Sequence, residues 1–226
     1  MIDIDNALRE APVGAHGMDH QQMHCELVSW GQFYSLVRNL AFAIRAAAYR
    51  PEIVVAIGRG GYVPARVLCD YFDVMNLASI KLEHYRATER QASVQVKYPL
   101  AADLTDRHVL VVDDVSDTGE TFEAAIEHIF GHSRPASVRT AVLHHKQVSR
   151  FVPDYYAEKV TRWRWIIYPW AVIEDVTALI DKLQPAQRNP DALAEQLERV
   201  YGIRLSSEVL GDVLALMNWP KRVDED

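Results

Sequence analysis

The run Val109-Leu110-Val111-Val112-Asp113-Asp114-Val115-Ser116-Asp117-Thr118-Gly119-Glu120-Thr121 leaves this chain few ways to fold. It reads as an apolar strand, two carboxylates at its C-terminal end, a turn of small residues, and the start of a helix. In an open α/β sheet, ligands sit off the carboxyl ends of the strands. A turn of Ser, Thr and Gly that opens a helix offers N–H groups and hydroxyls suited to a phosphate dianion. Two adjacent carboxylates beside such a turn can accept hydrogen bonds from vicinal sugar hydroxyls, or hold a divalent cation together with water. An isolated Asp-Asp pair would be an ordinary strand end. Here strand, acids and turn coincide in the order a phosphate-sugar site needs.

The rest of the chain fits an α/β frame around that run. Ser29 and Gln32 have capping-box spacing, and Phe33, Leu36, Val37, Leu40 and Ile44 repeat at helical intervals toward Pro51. Ile53–Ile57 is a short β-branched run expected to be a buried parallel strand. A tight turn, Gly58-Arg59-Gly60-Gly61, follows, and then a helix from Val63 to Phe72 with Pro64 in its first turn. Further strands are expected at Ser79–Glu83, Ser93–Lys97, Val109–Val112 and Val138–Leu143. A helix should run from Gly119 to about Phe130 and stop at Gly131. Past Trp170 the pattern becomes helical, at Val172–Leu183, Asp191–Tyr201 and Ser206–Met217, with apolar stripes at Leu193, Leu197, Val200 and at Val209, Val213, Leu216. The expected fold is α/β: a largely parallel central sheet flanked by helices, with a C-terminal helical extension. Residues 1–26 read as an irregular leader, 27–172 as the main domain, and 173–226 as the extension.

Composition narrows the function classes. A net charge of −7 argues against a nucleic-acid binder, which needs a basic surface. No apolar run reaches the length of a membrane span. The N-terminal MIDIDNALREAPVG carries acids and no apolar core, unlike a secretory signal. With Cys25 and Cys69 alone, a disulfide framework is not expected and a reducing cytoplasm fits. His16, His20 and His24 are spaced by four, with Cys25 beside the last, but Gly14 and Gly17 disfavour a helix there, and they are read as solvated. His128 and His132 are also four apart and lack an evident third ligand. Of His144 and His145, adjacent on a strand, at most one can face a site.

At Val109–Thr121 the chain resembles the type I phosphoribosyltransferases, and Gly58–Gly61 looks like that family's pyrophosphate loop. Lys146, just past the strand Val138–Leu143, matches the lysine that purine-using members direct at the base's exocyclic O6. Trp165-Ile166-Ile167-Tyr168-Pro169-Trp170 resembles the hood segment (about residues 150–172) of xanthine-guanine enzymes of the archaeal type, as does Val152-Pro153-Asp154-Tyr155-Tyr156. The resemblance covers about residues 27–172.

It implies transfer of a ribose phosphate from 5-phosphoribosyl-1-pyrophosphate (PRPP) to a 6-oxopurine, with Mg²⁺ as cofactor. In that reading Arg59, Gly60 and Gly61 take the diphosphate, and Asp113 and Asp114 take the ribose hydroxyls. The metal would sit at Asp114, with Asp113 joining through water. Ser116, Asp117, Thr118, Gly119, Glu120 and Thr121 would wrap the 5′-phosphate, and Asp117 would handle the base's N7 proton. Lys146, Trp165 and Ile166 would hold the base, Trp165 by stacking. Arg86–Gln91 reads as a loop that closes over substrate, with Tyr85 at its base; an ordinary solvated hairpin is the alternative. Ile167 stands where some bacterial xanthine-guanine enzymes carry an acid, which leaves the base preference open. A homo-oligomer, dimer or tetramer, is expected, with no nucleic-acid or membrane partner. Two other readings stay open: transfer to another base, and a non-catalytic PRPP-sensing regulator of the same fold.

Overall fold

The computed structural model describes residues 23–88, 91–184 and 189–217, with the backbone alone at 84–88 and 91–93. Its described residues fall into two compact units. One comprises Tyr34–Trp163, and the other the residues up to Phe33 together with those from Arg164 onward.

The larger unit is built on six strands: β2 (Ile53–Gly58), β3 (Leu77–Thr88), β4 (Gln91–Tyr98), β5 (His108–Ser116), β6 (Ser137–Lys146) and β7 (Tyr155–Val160). They lie in the order β4-β3-β2-β5-β6-β7. All neighbours are parallel except β3 and β4, which form an antiparallel edge. Strand β2 is buried along its whole length, as an apolar β-branched run between covered faces must be. Its core partners Val109 and Val111 of β5 and Val142 of β6 pack with Phe122 and Ile129 from the helix α3 (Glu120–His132). The expected fold class holds. The order also places a switch point between β2 and β5, from which successive strands leave in opposite directions, and such a point opens a crevice at the carboxyl ends.

Several sequence boundaries change. The strands at 79–83 and 93–97 extend into a hairpin paired as far as Thr88↔Gln91, so most of Arg86–Gln91 is strand rather than loop. Gly131 lies inside α3, which ends at His132 with Ser133 as its C-cap; a glycine in a last turn weakens a helix without stopping it. Strand β7 went unpredicted, because Tyr155–Val160 alternates imperfectly and carries Glu158 and Lys159.

The smaller unit holds a two-stranded parallel pair, β1 (Cys25–Leu27) with β8 (Trp165–Ile167). Cys25 and Glu26, assigned by sequence to the leader, are thus strand. An ion pair between Arg164 and Glu26 lies beside this pairing. The unit also includes α4 (Val172–Lys182), α5 (Pro190–Tyr201) and α6 (Ser207–Met217), matching the three expected helices. Asn189 caps α5 by accepting from the N–H groups of Asp191 and Ala192, and Ser206 accepts from Val209 at the start of α6. Leu193, Leu197 and Val213 are buried as their stripe requires, and Leu210 joins them; Leu216 is exposed, a correction to the expected face. The boundary between the units falls within α1 (Trp30–Ala46), which opens with the expected reciprocal cap of Ser29 and Gln32. Among the described residues no helix is long and apolar enough to cross a membrane.

Candidate active site

The site grows from the ends of β2 and β5, neighbours at the switch point. After β2 the chain turns through Gly58–Gly61 into α2 (Tyr62–Phe72), with the Gly58–Arg59 peptide cis. A Cβ on Gly61 would lie 2.3 Å from the Val112 carbonyl oxygen and 2.7 Å from that of Ile57. The turn therefore packs directly on the β5 backbone. A Cβ on Gly60 would lie 2.3 Å from Asp114 Oδ2. Glycine at these two positions is what lets the turn and the acidic pair touch. Arg59 sits exposed at the head of the turn.

Asp113 closes the continuous buried run that begins at Val109 in β5, and Asp114 beside it is half-buried. Asp113 is 8% exposed, and its Oδ1 accepts the Asp114 N–H at 2.9 Å. Burial first, and the neighbouring Asp114 charge second, push the Asp113 carboxyl well above the usual carboxylate range; Lys81 opposes the shift. Beyond the pair the chain turns at Gly119, whose φ of 96° lies in the left-handed region. A Cβ there would also meet Phe151 Cβ at 2.3 Å. Gly119, the N-cap residue of α3, has no side chain with which to cap it, and the helix's positive dipole end faces the turn. The Ser116 hydroxyl is buried and contacts the Ser149 hydroxyl at 2.8 Å and the Phe151 carbonyl at 3.2 Å. Its side chain ties the turn to the loop after β6. Thr118 accepts the Glu120 N–H at 3.4 Å and, through its carbonyl, the Arg150 N–H at 3.1 Å. Thr121 lies in the first turn of α3 and is half-buried.

Lys146 closes the group from the end of β6. Its ammonium donates to Asp117 Oδ2 at 2.9 Å, with the lysine side chain 3% exposed and the aspartate 31%. The same nitrogen stands 4.6 Å above the centroid of the Trp163 ring. The sequence reading named Asp117 and Lys146 separately and assigned Trp163 no role. It missed the contact between the first two, the cation–π contact with the third, and the anchoring role of Ser149 and Phe151. The β5–β6 adjacency was the one signal for the first contact; nothing in the residue pattern marked the others.

Trp165 and Ile166 belong to the smaller unit, on β8, and are 8% and 7% exposed. Trp170 joins Phe33, Trp30 and Tyr168 there in an aromatic cluster. The Tyr85 side chain and residues 89–90 lie outside what is described, as do His16 and His20. His144 and His145 are both buried, Nε2 of the first 3.9 Å from Glu158 and the ring of the second 5.3 Å from that of Tyr156. His128 Nε2 accepts the Leu100 N–H at 3.3 Å, and His132 Nδ1 contacts the His128 carbonyl at 2.8 Å. Among the described residues, no group of three His, Cys, Asp or Glu side chains is placed to hold a metal.

Residues 25–175 match the family model of the phosphoribosyl transferase domain. The chain is 32% identical over 149 residues to the xanthine-guanine phosphoribosyltransferase of Cereibacter sphaeroides, covering 63% of this chain and 84% of that protein. The structure resembles a purine phosphoribosyltransferase from Pyrococcus horikoshii, with a TM-score of 0.58 and 33% identity, over 66% of this chain and 94% of the other. It also resembles a hypothetical protein from Neisseria gonorrhoeae solved with bound ppGpp, with a TM-score of 0.57 and 27% identity, over 67% and 91% of the two chains.

Proposed function

This chain belongs to the phosphoribosyl transferase domain family, and from that premise we propose that it is a purine salvage enzyme specific for 6-oxopurines. It transfers the 5-phosphoribosyl group of PRPP to guanine, xanthine or hypoxanthine and releases pyrophosphate. The observation that carries the choice of base is the Lys146–Asp117 contact of 2.9 Å. It sets a donor-only ammonium beside a carboxylate. A 6-oxopurine presents a carbonyl oxygen at C6 next to a protonated N7, the complementary pattern along one edge.

In this reaction N9 attacks C1 of the ribose, the bond from C1 to the diphosphate oxygen breaks, and the N7 proton passes to Asp117. Such displacement has cationic character at C1, so the protein's work is positioning and electrostatics. Asp113 and Asp114 accept hydrogen bonds from the ribose hydroxyls. Arg59 and the Gly60-Gly61 backbone hold the diphosphate. The turn Ser116–Thr121, with the positive end of α3, holds the 5′-phosphate; the buried Ser116 hydroxyl leaves that residue a positioning part. For Trp165 and Ile166 the reading rests on the hood resemblance: an indole face for stacking and a backbone for the base edge.

Asp113 and Asp114 suit Mg²⁺, because carboxylate oxygens are the hard donors it takes. Two carboxylates are too few to hold the ion alone, so substrate oxygens and water complete the shell. Bound there, the ion would supply positive charge against the leaving diphosphate. The reading includes a cytoplasmic homo-oligomer, dimer or tetramer; Tyr34 and Phe42, exposed on one face of α1, are the kind of surface a second copy covers.

The test is turnover. Protein, Mg²⁺, PRPP and guanine should yield nucleotide and pyrophosphate in equal amounts, and a chelator should stop the reaction until Mg²⁺ is restored. PRPP binding without nucleotide from any base would favour the regulator.

A further inference from the structure

Lys146 is buried at the end of β6, and the chain returns to it in an unforeseen way. Its register partner across β7 is Val160, whose carbonyl accepts the Gln147 N–H at 2.9 Å. Three residues past Val160, the chain brings the Trp163 ring under the lysine nitrogen at 4.6 Å. We propose that Trp163 is a positioning residue for base selection, holding the Lys146 ammonium at the height of the Asp117 carboxylate while its N–H donors pass from Asp117 to the purine O6. The proposal rests on the assignment of Lys146 to the base.

A flexible four-carbon stem gives an ammonium a choice between the site and water, and lysines take the second where they can. In the structure Asp117 helps to hold Nζ. When a base arrives, Asp117 must take the N7 proton, and that hold weakens at the moment the lysine is needed. An indole face attracts a cation through its quadrupole without consuming a particular N–H direction. It can keep Nζ in place while the donors are reassigned. A carboxylate in the same position would compete with the base carbonyl for those donors; a leucine would offer nothing.

Trp163→Leu should raise KM for guanine and shrink the guanine-over-adenine preference in kcat/KM by about threefold to thirtyfold, the range of one cation–π contact. The affinity for PRPP should stay at the wild-type value, and Trp163→Phe should fall between wild type and Leu. A merely structural tryptophan would instead change PRPP affinity and all bases alike, with no graded rescue by phenylalanine. The readout independent of turnover is acylation of Lys146 by an amine-selective reagent, followed by peptide mass spectrometry. Labelling should accelerate in Trp163→Leu and less so in Trp163→Phe. Should the leucine variant fail to fold, the phenylalanine variant decides alone, an intermediate shift in labelling being expected. Unchanged labelling and an unchanged base ratio would overturn the proposal. Wild-type protein that makes no nucleotide from any 6-oxopurine would refute the proposed function, whereas the labelling would still judge Trp163.

Discussion

Asp117 and Lys146 share one hydrogen bond but not one environment, and the difference has measurable consequences. The lysine is 3% exposed and the aspartate 31%. Removing the carboxylate leaves a buried ammonium short of its charge partner; removing the ammonium leaves a carboxylate that water can reach. Asp117→Asn should therefore lower stability to urea by about 1–3 kcal/mol, and Lys146→Met by less. Equal losses would mean that the pair is not held as described. The same Asp117→Asn change should lower turnover by about 10²–10⁴-fold with PRPP binding nearly intact, as for loss of a general base. Turnover within a few-fold of wild type would reject that role. The two glycines of the β2 turn give a second contrast. An added methyl at Gly60 meets a side chain, Asp114, whereas at Gly61 it meets the backbone of Val112 and Ile57. Gly60→Ala should fold and bind PRPP at least tenfold more weakly, a factor equal to about one hydrogen bond to a charged group. Gly61→Ala should lose stability first, seen as a lower thermal midpoint. The opposite order would separate the turn from the acidic pair.

At the scale of elements, α3 and the segment just after the edge hairpin meet through His128, whose Nε2 accepts the Leu100 N–H. Burial, and then His132, hold the His128 pKa below the ordinary histidine value. The unfolded chain would protonate this ring at about pH 6.5, while the folded state resists until a lower pH. Stability from this group is thus present above about pH 6.5 and declines as pH falls toward the folded value. His128→Gln keeps an acceptor that does not titrate, so its thermal midpoint should drop less than that of wild type between pH 7.5 and 5. Parallel drops would rule the contact out as an acid-sensitive link. Elements were also where the sequence was most legible. Apolar runs such as Ile53–Ile57, the Ser29–Gln32 cap and the three tail helices follow from local pattern. Strand β7 did not show, because edge strands tolerate charges such as Glu158 and Lys159 and hide the alternation, and the hairpin stood only as the alternative reading of Arg86–Gln91. The order of acids, small-residue turn and lysine could be read along the chain. That Trp163 stands under Lys146 depends on a loop path that no periodicity encodes.

Over the whole molecule, the family core ends near residue 175, and the chain adds α5 and α6. These helices bury Leu193, Leu197, Leu210 and Val213 in the smaller unit, where the Tyr201 hydroxyl donates to the Leu179 carbonyl at 3.2 Å. Each such aliphatic side chain is worth roughly 1.5–3 kcal/mol when buried, so deletion from Pro190 onward should expose Leu179 and Val176 of α4. The truncated protein should aggregate or melt earlier, while PRPP binding to what remains folded persists. If it stayed well folded in the same assembly and lost all turnover, the tail would belong to the site. The central claim is that a purine phosphoribosyltransferase reads C6 of its base with Lys146, and it is best tested by kcat/KM for guanine and adenine in wild type and Lys146→Met. An amino group at C6 removes the acceptor that the base would offer the ammonium, a penalty of about 1–3 kcal/mol that means roughly tenfold discrimination or better. The account predicts that wild type prefers guanine by at least that factor and that the preference falls in Lys146→Met. Wild-type protein that uses adenine as readily as guanine, or a ratio unchanged by the substitution, would contradict it.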